Sequence, residues 1–266
     1  MKLSIERLIN SMDMPISERI VDSKKDPYLW IKERYNSQTG EYEYYDEVLK
    51  NLFGIEDPEE LKIKEAEVCM AKLINIESVF STKFDKDYFK AIHRHIFENV
   101  FDWAGQYRTV PMIKIEEVEI PGQSLIYPPA EEIDRLLDKR ISDLNNVDWT
   151  KFKNRQDLAL EFARKIAAIW KVHPFRDGNT RTTLCYADMY ARIKGFPFDM
   201  GMLVQNLYRP TDDKGRAVGY SIRDKFMTAS IDYGYENPEY LAQAFDHAIV
   251  KGKLPCLRVE KDGEDR

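Results

Sequence analysis

Residues 154–172, NRQDLALEFARKIAAIWKV, are the strongest constraint on what this chain can fold into. Leu158, Phe162, Ile166, Ile169 and Trp170 recur at the three- and four-residue spacing of one helix face, so the segment must bury a continuous apolar stripe. Other stretches read the same way. DPEELKIKEAEVCMAKLINI opens with Asp57 as N-cap, Pro58 at the first helical position and Glu60 closing a capping box. Its apolar positions are Leu61, Ile63, Val68, Met70, Leu73 and Ile74. FDKDYFKAIHRHIFENVF sets Tyr88, Phe89, Ile92, Ile96, Phe97 and Val100 on one stripe. PPAEEIDRLLDKRISDL follows Pro128-Pro129 with Ile133, Leu136, Leu137 and Ile141, and TTLCYADMYARIKGFP stays helical until Gly195 and Pro197 stop it. Helices that each need a partner predict a mainly α fold.

One region breaks the pattern. Residues 108–129, RTVPMIKIEEVEIPGQSLIYPP, carry β-branched runs around the turn signal Pro121-Gly122 and predict a short, irregular hairpin. Near the N-terminus, YNSQTGEYEYYDEV reads either as a small hairpin around Thr39-Gly40 or as a loop.

Composition narrows the class. With 266 residues, 43% of them hydrophobic, the chain can bury a sizeable core. Lys and Arg number 40 against 46 Asp and Glu, a net charge of −6, which argues against a nucleic-acid partner because phosphate neutralisation needs a basic surface. No apolar run approaches the roughly 18 residues of a membrane span. MKLSIERLINSMDM is broken by Glu6 and Arg7 and lacks the apolar block of a signal peptide. Cys69, Cys185 and Cys256 follow neither a metal nor a disulfide spacing. Together these point to the cytoplasm. The terminal VEKDGEDR reads as a solvated tail.

The chemistry is concentrated in HPFRDGNTRTTL, residues 173–184, between the end of one helix and the start of the next. A helix start leaves backbone N–H groups unpaired and carries partial positive charge, so it suits an anion. Gly178 lets the backbone approach closely, Asn179 adds a neutral donor, and Arg181 adds a planar fork that matches phosphate oxygens. Asp177 fits such a site if it holds a metal ion that the phosphates also hold. His173, with an imidazole that titrates near neutrality, stands ready as a general base. The set suggests a Mg²⁺-nucleotide site with a base beside it and transfer of a phosphorus-centred group.

His173-Pro174-Phe175-Arg176-Asp177-Gly178-Asn179-Thr180-Arg181 resembles the Fic family signature, His-Pro-Phe-x-(Asp/Glu)-Gly-Asn-Gly-Arg. IHRHIFENVFDWAGQYRTV resembles the segment before the family's flap hairpin, and FGIEDPEELKIKEAEVCMAKL its leading helix. The resemblance implies a mainly α helical bundle with a short β-hairpin flap beside the active-site loop, and a catalytic domain over 51–250, preceded by an extension over 1–50 and followed by the tail at 251–266. It also implies a protein adenylyltransferase. His173 would deprotonate a target hydroxyl, and Asp177 would ligate Mg²⁺ on the phosphates of ATP. Arg176, Gly178, Asn179, Thr180 and Arg181 would line the nucleotide, with Phe175 as the buried anchor of the loop. The flap near Ile113 and Lys114 would align an extended segment of the target. AMP would end on Tyr, Thr or Ser of a target protein.

Two positions depart from the family. Thr180 stands for its second glycine and is read as a possible cap of the next helix. Leu184 stands for its frequent second arginine, the usual partner of an inhibitory glutamate. Neither Glu77 nor Glu236 has the context of that glutamate, so control is expected to fall to a separate small protein or to the target. Two alternatives stay open: a related enzyme that moves another phosphate-containing group, as the Doc branch does, and a nucleotide-binding module without turnover. His93 and His95 read as structural, Trp103 and Trp170 as core, and Glu116, Glu117 and Glu119 as a solvated face.

Overall fold

The helix expected at 154–172 is the axis on which the protein is built. The computed structural model describes residues 18–20, 26–36, 41–115, 124–204, 219–231 and 236–250. In chain order these form β1 (Glu18–Ile20), β2 (Leu29–Asn36), β3 (Glu41–Leu49), α1 (Pro58–Ile74), α2 (Lys86–Phe97), β4 (Met112–Ile115), β5 (Ser124–Ile126), α3 (Ile133–Asn145), α4 (Arg155–Trp170), α5 (Asn179–Lys194), α6 (Met200–Val204), α7 (Ile222–Ser230) and α8 (Glu239–Ala248). The fold is a mainly α bundle, as the periodicity predicts. No helix among the described residues is long and apolar enough to cross a membrane.

α4 packs against α3, α5, α7 and α8, and its stripe of Leu158, Phe162, Ile166, Ile169 and Trp170 is fully buried. The expected stripe of α2 is buried too, from Tyr88 to Phe97. α1 differs. Asp57 caps it as expected, accepting from the Glu60 N–H at 2.8 Å. Its buried face, however, is Leu61, Glu65, Ala66 and Cys69. Ile63 and Ile74 stay 45% and 74% exposed. α1 lies at the margin of the bundle, and the stripe it buries includes a carboxylate that hydrophobic periodicity passes over.

The flap is a sheet of three strands, ordered β1-β4-β5 and antiparallel throughout. Ile113 lies opposite Arg19 on one side and Ile126 on the other, and Lys114 lies between Glu18 and Leu125. Both edges of β4 are therefore paired. Nothing in the pattern of residues 18–20 announces a strand, because three residues carry too little periodicity. The expected turn at Pro121-Gly122 and the run Glu116 to Glu119 lie outside the described residues, as do MKLSIERLINSMDM, Cys256 and the tail at 251–266. Upstream, β2 and β3 form the hairpin weighed for YNSQTGEYEYYDEV, starting earlier than that segment, with Thr39-Gly40 itself outside the described residues.

One buried polar chain ties three parts of the bundle. The Trp149 indole N–H donates to the Tyr190 hydroxyl at 3.0 Å, which donates to the Leu144 carbonyl at 2.9 Å. Tyr190→Phe removes the middle link and leaves a buried donor and acceptor without it. A loss of about 1–3 kcal/mol is expected in urea unfolding, at an unchanged denaturant slope. A variant as stable as the wild type would show that the chain carries no net stability.

Candidate active site

The motif begins where α4 ends. The His173 N–H donates to the Trp170 carbonyl at 3.0 Å, closing the last turn. His173 then adopts a φ of 48°, the one positive value at a non-glycine position among the described residues. Its ring stacks on Tyr127 at 3.9 Å between centroids and meets Trp170 edge-on at 5.1 Å. The side chain is fixed by packing before any ligand arrives.

Arg108 holds this turn from outside. It is 1% exposed and donates from Nε to the His173 carbonyl at 2.8 Å, from Nη1 to Val110 at 2.7 Å and from Nη2 to Pro128 at 2.6 Å. The backbone N–H of Arg108 donates to the Pro174 carbonyl at 2.8 Å. Both ends of the flap are thus tied to the residue that carries the candidate base.

The loop closes on itself through Asn179. Its side-chain oxygen accepts from the Phe175 N–H at 2.9 Å and its amide donates to the Phe175 carbonyl at 2.8 Å. The side-chain oxygen and one of the two amide N–H groups are thus engaged within the loop. Phe175 is fully buried, stacked on His93 at 3.7 Å and on Phe89 at 5.9 Å. His93 accepts at Nδ1 from the Gly105 N–H at 2.8 Å, so its Nε2–H donates to the Asp177 carbonyl at 3.1 Å. Burial pushes the His93 imidazole down to about 3, which keeps it neutral in this role. His95, two residues on, reaches the Lys72 carbonyl instead.

Gly178 has a φ of 77° and forms the N-cap of α5. A Cβ there would stand 2.3 Å from Phe97 Cε2, so the glycine is required by the turn and by the ring beneath it. The cap is therefore Gly178 and not Thr180, which lies inside the first turn and accepts from the Trp170 indole N–H at 3.0 Å. Arg176 is a further correction. Expected along the nucleotide, it turns away and donates from Nε to Asp26 at 2.9 Å, where a fully enclosed carboxylate needs a counter-charge.

His173, Asp177, Gly178, Asn179, Thr180 and Arg181 do converge on one cleft, joined there by Arg223 from α7. Arg181 Nη2 donates to Asp177 at 2.9 Å, and its Nη1 lies 2.6 Å from Glu65 of α1. The guanidinium carbon sits 4.5 Å over the Phe97 ring. Burial raises Glu65 to about 7 against the opposing pull of Arg181. Burial likewise lifts the Cys69 thiol, which borders this pair, to about 12, so it stays a thiol. Leu184 is buried in the core. Sequence reasoning missed Glu65, Arg108 and Arg223, and no spacing could have supplied them, since each reaches the motif across the fold. His93 it took as structural, and the ring does hold the loop.

A loop closed onto a helix start, with a fixed histidine at one side and an acid–arginine pair at the other, has the makings of an anion site with a base at hand. Comparison with known proteins gives the family. The family model described as Fic/DOC family matches residues 83–191. A probable protein adenylyltransferase of Sinorhizobium fredii is 31% identical over 157 residues, which cover 59% of this chain and 77% of that protein. The protein adenylyltransferase VbhT of Bartonella schoenbuchensis is 31% identical over 155 residues, 57% of this chain and 30% of its own longer length. Among solved structures, the ADP-bound N-terminal Fic domain of a VirB-translocated Bartonella quintana effector superposes with a TM-score of 0.57 over 79% of this chain and 94% of that one, at 24% identity. The chain belongs to the Fic/DOC family.

Two substitutions test the rigidity of the loop. Gly178→Ala combines a left-handed backbone with a clash on Phe97, and a loss of about 2–5 kcal/mol is expected in denaturant unfolding; wild-type stability would show that the ring gives way freely. His93→Gln tests the buried imidazole through pH. Its folded value of about 3 lies below the unfolded value near 6.5, so its contribution is present above about pH 6.5 and is lost as pH falls towards 3. The stability gap between wild type and variant is expected to narrow from pH 7.5 to pH 5, by about 1.4 kcal/mol per unit below the unfolded value. A gap independent of pH would contradict a neutral buried His93.

Proposed function

We propose that this protein is a protein adenylyltransferase, moving AMP from Mg²⁺-ATP to a Tyr, Thr or Ser hydroxyl of a target protein. The observation that carries the reading is the convergence of His173, Asp177, Gly178, Asn179, Thr180 and Arg181 on one cleft. Relatives with about 30% identity are named for that activity.

The residues divide the work. The His173 imidazole accepts the proton of the target hydroxyl as its oxygen attacks the α-phosphorus in line. A new P–O bond forms while the bond to pyrophosphate breaks. Arg181 and the N-terminus of α5 oppose the negative charge of the phosphates. Such transfers depend mainly on positioning and charge neutralisation, and a loop already closed by Asn179 and Phe175 supplies the positioning.

Asp177 fits a magnesium site. It offers a single carboxylate on the cleft, and no group of three or more His, Cys, Asp or Glu residues among the described residues could hold a metal. That donor set suits an ion that takes its other ligands from phosphate and water. When bound, Mg²⁺ would neutralise phosphate charge.

An extended segment of the target aligns on the flap around Ile113 and Lys114. Because both edges of β4 are paired, that segment exchanges with β1 or joins the sheet at β5. The catalytic unit is residues 51–250. Regulation falls to a separate small protein or to the target: Glu77 pairs with Arg192 at 2.5 Å, and Glu236 borders a different groove, beside Arg164 and Lys171.

Label transfer tests the reaction. Purified protein with Mg²⁺ and cell lysate is expected to label a protein from ATP marked at the α-phosphorus and not at the γ-phosphorus. His173→Ala is expected to reduce the label at least about 100-fold. Label from the γ-phosphorus alone would move the protein to the phosphorylating branch. ATP binding without label from either, across lysates from several sources, would favour a binding module.

A further inference from the structure

The cleft carries a charge imbalance. Arg181 is held between Glu65 at 2.6 Å and Asp177 at 2.9 Å, so one guanidinium faces two carboxylates. With both acids ionised the three side chains are net negative; with Glu65, which burial lifts to about 7, protonated, they are neutral. The start of α5 adds only about half an elementary positive charge in either case. A polyphosphate brings several more negative charges. A divalent ion on Asp177 would relieve part of this, while Glu65, where ionised, still draws on the charge of Arg181. The next turn of α5 adds nothing, because Leu184 is apolar and 5% exposed.

Among the described residues, one further cation lines the cleft. Arg223 is the second residue of α7, half-buried, and forms a wall of the same space as His173, Asp177, Gly178, Asn179, Thr180 and Arg181. Its position is fixed by structure on both sides. Ser221 and Asp224 form a reciprocal capping box that sets where α7 starts, with the Ser221 N–H donating to Asp224 at 2.8 Å and the Asp224 N–H donating to Ser221 at 3.1 Å. One turn on, Phe226 stacks on Trp170 at 5.4 Å. Trp170 in turn donates to Thr180 in the first turn of α5. The helix that presents Arg223 is thereby registered against the helix that presents Arg181.

We propose that Arg223 is the second phosphate-binding guanidinium of this cleft, contacting the nucleotide's polyphosphate from α7. The proposal rests on the nucleotide reading above and adds a binding residue that lies outside the motif. It explains how a cleft with two acids around its motif arginine accepts an anion. A planar guanidinium can take two phosphate oxygens at once, which an ammonium cannot. Its Coulomb term grows with the charge of the ligand, so its effect depends on the number of phosphates.

The test measures binding of AMP, ADP and ATP with Mg²⁺ by titration calorimetry, for wild type, Arg223→Gln, Arg223→Met and Arg223→Lys. Both neutral variants are expected to weaken ATP about tenfold or more, ADP by less, and AMP under about twofold. Lysine is expected to recover part of the loss, because the charge stays and the fork does not. Equal affinity of the neutral variants and wild type for all three nucleotides would overturn the proposal. So would an equal loss across the three, which would place Arg223 on the nucleoside or in the scaffold. If one neutral replacement fails to fold, the other with lysine gives the same comparison. A wild type that binds none of the three would overturn the nucleotide reading itself, an outcome distinct from variants that bind as wild type does.

Discussion

A buried guanidinium bonded to backbone holds the flap to the catalytic loop. Arg108 gathers the carbonyls of Val110, Pro128 and His173, which the chain places at the two ends of the flap and at the end of α4. Burying that charge is costly unless its donors are satisfied, so the three contacts succeed or fail together. The same arrangement accounts for the backbone at His173. A φ of 48° costs on the order of 1–3 kcal/mol, and a charge-assisted bond to that residue's own carbonyl is of a size to offset it. The strained turn and the flap hold each other in place.

The loop itself is built so that little remains to be ordered when a ligand arrives. Asn179 braces Phe175, Phe175 lies on His93, His93 supports Asp177, and Gly178 rests on Phe97. These contacts cross from α2 to the start of α5, and the core packs them. Donors already oriented before charge develops are worth more than donors that must be recruited, since no reorganisation is then required. A motif of nine residues would be a floppy loop without the face of α2 beneath it.

Much of this was legible in the chain. The stripes of α2 and α4 mark a helical bundle because each is apolar on one side and cannot stay in water. His173, Asp177, Gly178 and Arg181 stand out as a candidate anion site because a core does not use that mixture. What was not legible is what arrives from a distance. Glu65 sits on the buried face of α1, opposite Ile63 and Ile74, which apolar periodicity favours and which are exposed. Arg108 reads only as the first residue of the expected hairpin, and no motif marks Arg223. Arg176 shows the reverse error: adjacency to the motif suggests a ligand, yet the side chain follows the buried Asp26. Position within a motif constrains the backbone, whereas the direction of a long side chain is decided by whichever opposite charge is desolvated nearby.

The pairing of residues 18–20 with β4 has a consequence for recognition. A strand supplied by the same chain competes with any incoming segment as a tethered rival, at an effective concentration that short linkers raise to the order of millimolar. Backbone hydrogen bonds alone give a newcomer no advantage, since β1 already makes them. A protein that gains this edge must outbid it with side chains. On the proposed reading, discrimination between partners would come from a contest at the sheet's margin, settled ahead of any chemistry.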